Sequence, residues 1–264
     1  MMITWNLFPA FALPALLLWG VGAVAALRRH QGYSRAALWL MAGGCLFYIA
    51  FVAGLWMALQ RPPLRTMGET RLWYALFMLV SGWLVYGRWH YRWMPLFSGV
   101  VAAVFVVVNL LHPELHDRSL MPALQSLWFV PHVTVYIFSY SLFGCAFLLA
   151  LAGLWRHTSS YLDSTDRLVT IGLAFLTFGM FSGAIWAKQA WGHYWSWDPK
   201  ETWAAATWCA YLFYLHHRLR GRHTDLSRSR VAYIWLVIGF LLLQMCWYGV
   251  NLLPVASASM HSYD

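Results

Sequence analysis

Charge is what this chain has least of. Asp, Glu, Lys and Arg make up 10% of its 264 residues, against about 25% in an ordinary soluble domain. That shortfall excludes a conventional water-soluble protein. With 61% hydrophobic residues and a mean hydropathy of +0.56, it excludes a disordered chain as well. Acidic groups are scarcest: nine against eighteen Lys and Arg, a formal net charge of +9. Such an excess suits nucleic acid when the cations are grouped on one face. Here they sit in short loops between apolar runs, the pattern of membrane topology, and no nucleic-acid partner is expected. Cysteine is sparse too. Cys45, Cys145, Cys209 and Cys246 each lie inside an apolar run, and no two form Cys-x-x-Cys. This speaks against a disulfide scaffold, a zinc site or a thiol oxidoreductase centre. The stretch from Met1 to Asn6 carries no Lys or Arg. The first apolar run is therefore read as a retained span and not as a cleaved signal.

What is plentiful is apolar side chain in long blocks. Eight stretches stand out, roughly 7–27, 36–59, 72–87, 94–111, 131–155, 168–187, 202–217 and 231–252, against the ~20 residues that a membrane-spanning helix needs. The third and seventh are the shortest. Backbone groups cannot go unpaired in lipid, so each stretch is expected to be a helix. The expected fold is all-α, a polytopic membrane protein of about eight transmembrane helices forming a single domain over residues 1–264. Alternate loops differ in charge. Arg28, Arg29, Arg35, Arg88, Arg92, Arg156, Arg167, Arg218, Arg220, Arg222, Arg228 and Arg230 fall on one side. Only Arg61, Arg65, Arg71, Arg118, Lys188 and Lys200 fall on the other. The positive-inside rule puts the richer set in the cytoplasm. Both termini are then expected on the outer, periplasmic side of the cell's inner (plasma) membrane.

The outer loop at about 188–203 is unusual. It reads Trp191-Gly-His-Tyr-Trp-Ser-Trp-Asp-Pro-Lys-Glu-Thr-Trp203, with four tryptophans beside Asp198, Lys200 and Glu201. A membrane-surface aromatic belt accounts for scattered Trp but not for this density next to an acidic pair. A flat, hydrophobic ligand with a polar edge fits better, because indoles offer large apolar faces and an N–H at the rim. Trp191, Trp195, Trp197 and Trp203 are the expected walls. Asp198-Pro199 also has the form of a helix start, with Asp198 as cap and Pro199 in the first helical position.

The string WGHYWSWDPKETWA resembles the tryptophan-rich signature of haem-handling membrane proteins. The wording WSWDPKETW is similar to the CcsA/ResC family of System II cytochrome c assembly. Further segments follow in that family's order. Pro122-Ala-Leu-Gln-Ser126 with Trp128 and His132 resembles the outer histidine segment. Gly249-Val-Asn-Leu-Leu253 followed by His261-Ser-Tyr263 resembles the closing one. Arg65-Thr-Met-Gly-Glu-Thr-Arg71 resembles a stretch of some CcsA proteins. Ser259-Met260 stands where the family often has Gly-Leu.

Eleven histidines are present. On the expected topology His112, His116, His132, His193 and His261 face outward. His30, His90, His157, His216, His217 and His223 lie inward, mostly among loop arginines where solvated polarity explains them. His132, after Pro131, opens the fifth span, and His261 lies just past the last. Two imidazoles at separate helix ends are able to hold iron from opposite faces of a haem; a polar role for each remains the alternative from chemistry alone. The resemblance implies that these two are the outer axial ligands of haem b. It further implies that a histidine near the end of the seventh span, His216, is a membrane-embedded ligand whose opposite ligand comes from a CcsB/ResB-type partner. The outer Arg65, Arg71, Arg118 and Lys200 are candidate partners for the haem propionates.

The implied activity is haem transport to an outer site and covalent attachment to the Cys-X-X-Cys-His of apocytochrome c. The chain would act there as a haem lyase component, with a thiol-reducing protein as a further possible partner. Asp198 and Glu201 are the acids near enough in sequence to serve as proton donors, with helix capping as the plainer account. Rival readings are a b-type electron-transfer subunit, whose histidines would lie deep within helices, and a haem exporter without synthase activity. A structural membrane subunit is a third.

Overall fold

The computed structural model describes residues 3–28, 34–112, 116, 122–220 and 226–253. Among them the chain forms eight long helices: α1 (Phe8–Arg28), α2 (Arg35–Leu59), α3 (Met67–Trp89), α4 (Met94–Leu111), α5 (Phe129–Trp155), α6 (Leu162–Trp191), α7 (Pro199–Leu219) and α8 (Leu226–Trp247). Short 3-10 turns lie at Trp5–Leu7, Pro122–Gln125 and Gly249–Leu252. No strand occurs among the described residues. All eight apolar stretches are helical, and the differences lie at their ends. α8 begins at Leu226, ahead of the apolar run, and ends at Trp247, short of that run's end, because Gly249–Leu252 closes into a 3-10 turn.

Six helices are long and apolar enough to cross a membrane: α1, α2, α4, α5, α6 and α8. α3 and α7 have the length, 23 and 21 residues, which is ~34 and ~31 Å of helix. Their ends carry Glu69, Arg71 and Arg88, and Lys200, Glu201 and Arg218, respectively. Large apolar side chains are directed outward along the helices, among them Leu17, Leu46, Met57, Phe181 and Leu241, each more than half exposed. In water such a surface would aggregate; in hydrocarbon it is the expected exterior. The chain is a multi-pass membrane protein. All four cysteines are free, with Cys45, Cys145 and Cys246 buried.

Internal contacts divide the chain into two compact units, residues 1–120 and 121–264. The first holds α1–α4. Its aromatic core joins Phe8, Trp19, Tyr48 and Phe51 to Leu72, Leu79 and Val106. The polar start of α3 is built around Glu69, which is 1% exposed. Thr66 and Glu69 form a capping box. Both Glu69 oxygens also accept from the Arg61 guanidinium at 2.9 Å. Arg65 donates its backbone N–H to the same carboxylate at 2.7 Å, and burial, then the neighbouring Arg61 charge, push its side-chain pKa down. In α4, Asn109 donates to the Gly68 carbonyl at 2.9 Å. The His116 ring lies flat on Trp5, centroids 3.7 Å apart.

The second unit holds α5–α8. α5 and α6 run antiparallel, and their packing has a repeated form. A Cβ on Gly183 would collide with the His132 ring, one on Gly179 with Tyr136, and one on Gly172 with Phe143. Rings from α5 thus fill three places where α6 has no side chain. Such close approach is the usual reason for small residues between membrane helices. Phe143 also stacks on Tyr211 of α7, with centroids 3.7 Å apart.

Candidate functional site

One end of the second unit gathers the sequence features singled out above. α5 and α7 begin there, and α6 and α8 finish there. α5 starts at Phe129, so Pro131 lies in its first turn, where a missing N–H leaves no helical bond unmade. His132 is therefore held on the rigid part of α5. Its Nδ1 lies 2.8 Å from the Gly179 carbonyl of α6. A carbonyl only accepts, so Nδ1 carries the proton and, in the neutral ring, the lone pair lies on Nε2. This is the arrangement by which a second partner fixes the tautomer of a metal-ligating histidine. The ring also lies against Trp186, with centroids 5.5 Å apart and planes at 23°, and against Tyr136 at 4.6 Å.

Trp186 is the residue that sequence reasoning missed. It is 1% exposed and ties the site together. Its indole N–H donates to the Ala123 carbonyl at 2.8 Å, which anchors the turn Pro122–Gln125 over α6. Its ring packs on Phe129 and meets Trp191 edge-on at 4.8 Å. Ser126 adds a second tie by donating to Gln189 at 2.8 Å. Trp186 lies within an apolar run, where nothing separates it from lipid-facing aromatics. The pair Gly179 and Gly183, at small-x-x-x-small spacing, was the available signal.

α6 ends at Trp191, and Gly192, at φ 89°, turns the chain out of the helix. In the loop, Trp195 and Trp197 meet edge-on at 5.6 Å. Trp197 adopts φ 59°, which is unusual for a bulky residue and a form of backbone strain typical of ligand sites. Trp197 and Tyr194 are more than half exposed. α7 then begins as the residues dictate. Asp198 is the cap, accepting from the Lys200 N–H at 2.9 Å. Glu201 reaches back to the Asp198 N–H at 3.1 Å and the Ser196 N–H at 2.8 Å. Both carboxylates are buried, at 6% and 9% exposure. They shape the loop by these bonds. Cys246, near the end of α8, donates to the Lys200 carbonyl at 3.4 Å.

The structure thus joins His132, Trp186 and Trp191 by direct ring contact and places the Trp195–Trp197 pair and the capped start of α7 at the same end of the unit. Trp203 is half-buried in the second turn of α7, where its carbonyl accepts from Thr207 at 2.8 Å. His193 is exposed in the loop. His216 is not part of this cluster: it lies 18 residues beyond Asp198, ~27 Å along α7. His261 and Arg118 fall outside the described residues.

The fold and this site define a helical membrane protein that presents a tautomer-fixed histidine stacked on one indole of an edge-on tryptophan cluster. Residues 4–256 match the family model of cytochrome C assembly proteins, and the chain belongs to that family. It is similar to the cytochrome c biogenesis protein CcsA of Chlamydomonas reinhardtii, 41% identical over 164 residues, covering 57% of this chain and 44% of that protein. It is likewise similar to CcsA of Helianthus annuus, 33% identical over 202 residues and covering 57% and 61%. CcsA of Morus indica is 28% identical over 261 residues, covering 79% of each. The chain spans less than two thirds of the length of the first two relatives, 44% and 61%. Among solved structures, a cytochrome c haem lyase, CcmF, shares the fold, with a TM-score of 0.64 over 90% of this chain and 46% of that one at 21% identity.

Proposed function

We propose that this chain carries haem b to the outer face of the membrane and holds it for attachment to apocytochrome c, as one component of a haem lyase completed by a CcsB/ResB-type partner. Membership of the cytochrome c assembly family supports the general role. The observation that carries the finer reading is the His132 imidazole, its Nδ1 bound to the Gly179 carbonyl and its face on Trp186. That geometry turns Nε2 into the ligating atom and fixes its direction before haem arrives, which reduces the ordering cost of binding. Trp191, Trp195, Trp197 and Trp203 supply apolar surface for the macrocycle. His261 is the second outer ligand on this reading, and His216 an inner one.

In the attachment step a cysteine thiol of the client adds across a haem vinyl group. A C–S bond and a C–H bond form from S–H and C=C, with no net redox change. Haem brings the reactive vinyl groups, and the chain's contribution is position. Asp198 and Glu201 keep the loop in one shape while the client enters, and one of them is the proton donor only if it leaves its capping bonds. The inner (plasma) membrane is the proposed location. Both termini are proposed to lie on its outer side, following the arginine distribution.

Replacing His132 by Gly tests the reading. Haem recovered with the purified full-length chain should fall by about tenfold or more, in line with loss of a metal ligand's support. Added imidazole should restore part of it. Full haem occupancy with an unchanged spectrum in His132→Gly would refute the outer site and favour an electron-transfer role for haem held elsewhere.

A further inference from the structure

α7 ends with two adjacent histidines, His216 and His217, which a helix turns ~100° apart. The structure gives them different surroundings. His217 Nε2 lies 3.1 Å from the Arg228 carbonyl on α8. It must donate there, so this ring ties α7 to α8. His216 Nδ1 lies 2.9 Å from the Leu212 carbonyl of its own helix, and the residue is exposed. With Nδ1 donating, the neutral His216 ring has its lone pair on Nε2.

The opposite face of α7 explains this sorting. Asp166, early in α6, accepts at Oδ1 from the Tyr214 hydroxyl at 2.6 Å and from Arg218 Nε at 2.9 Å. At Oδ2 it accepts from Arg218 Nη2 at 2.8 Å. The Tyr214 hydroxyl also bonds Thr165 Oγ1 at 2.8 Å, and Tyr214 is fully buried. Asp163 lies 4.0 Å from Arg218, but its side chain is 95% exposed, so water screens that pair. Tyr214 and Arg218 are four residues apart and share a face. His216, two residues from each, falls ~200° away. A forked Arg–carboxylate pair with a buried tyrosine is a strong, directional tie. It acts at the last turn, the part of a helix whose carbonyls lack partners and which frays first.

We propose that Asp166 is the positioning residue for His216. By holding Tyr214 and Arg218 it fixes the rotation of the last turn of α7, so that His216 and not His217 is presented as the inner haem ligand. The proposal rests on the haem-handling reading above and deepens it at the inner site. Nothing at the loop end of the unit is involved.

The test uses the chain co-purified from membranes with its CcsB/ResB-type partner and bound haem. Haem retention and the ligand-sensitive electron paramagnetic resonance signal are compared in wild type, His216→Ala, His217→Ala, Asp166→Asn and Asp166→Glu. The expectation is that His216→Ala and Asp166→Asn each lower inner-site haem affinity by about tenfold and remove the same signal. Asp166→Glu should restore part of it. His217→Ala alone should keep the wild-type signal, but in the Asp166→Asn background it should lower the remaining inner-site haem further, because the freed turn then offers either ring and His217 no longer contributes. The His132-dependent haem should persist in Asp166→Asn, which shows that the fold survives. A wild-type signal in Asp166→Asn, with His216→Ala defective, overturns the positioning role. An unchanged His216→Ala overturns the inner-site reading itself. Loss of the His132-dependent haem in both Asp166 variants assigns Asp166 to folding alone and also overturns the proposal.

Discussion

His132 takes its orientation from a backbone carbonyl and not from a carboxylate. A neutral acceptor fixes the tautomer without adding much electron density to the ring, so the ligand it prepares is an ordinary neutral imidazole. On the proposed function, in which this site surrenders its haem, a ligand that exchanges is an advantage. Gly183 sets the space for this ring, since a methyl group there would press on Nδ1 and Cε1. Gly183→Ala should therefore disturb haem bound through His132 while costing about 1–3 kcal/mol of stability, the usual range for overpacking. The visible spectrum and a thermal melt of the purified variant check both; an unchanged spectrum would mean that the ring does not need its seat. In the first unit, Glu69 is buried under Arg61 and the capping box of α3. Glu69→Gln leaves Arg61 without its carboxylate. The cost should be about 3 kcal/mol, the low end for breaking a buried pair, because Arg61 retains some water contact. Denaturant unfolding in detergent measures it, and a loss below about 1 kcal/mol would show the pair to behave as a surface bridge.

At the scale of the element, the helices themselves were legible and their polar ends were not. Apolar length alone marked all eight helices. It placed the start of α3 at residue 72 because Gly68, Glu69 and Arg71 interrupt the run. The capping box and the Arg61 pair carry the helix back to Met67. α7 was the opposite case. Asp198-Pro199 announces a helix start in the sequence, and the structure begins α7 there. Asp198→Ala should cost about 1 kcal/mol, as for other lost caps. It should also loosen the Trp195–Trp197 loop, read as faster protease cleavage between residues 192 and 198. Equal cleavage rates in variant and wild type would separate the cap from the loop. Trp186 stayed hidden at this scale. A tryptophan within a span has the same pattern whether it faces lipid or a histidine, and only the packing of α5 on α6 tells them apart.

For the whole molecule, sequence composition was enough to establish a helical membrane protein, and the ordered motifs pointed to the cytochrome c assembly family. What the sequence could not supply was the division of the chain into two compact units, each with its own core, because hydropathy counts helices without pairing them. The arginine distribution predicts sidedness. A reporter active only outside the cytoplasm, fused after Asp264, should be active, and the same reporter fused after Leu219 should be silent. The reverse pattern would invert the map and put the tryptophan-rich loop in the cytoplasm.

The three ring-into-glycine contacts between α5 and α6 have a consequence for how the site tolerates change. Going along α5 from His132 to Tyr136 to Phe143, the steps are four and then seven residues; the matching glycines of α6, from Gly183 to Gly179 to Gly172, step back by the same amounts. The two helices therefore engage like a toothed rack with one permitted setting. Sliding α6 by a single turn, ~5.4 Å, would bring one ring back onto a glycine, because Gly179 and Gly183 lie a turn apart, but would drive the other two against side chains. The height of the histidine against α6 is thus quantised, and is set without reference to the loop that follows Trp191. That loop can be lengthened, shortened or reshaped while the imidazole stays at the same level.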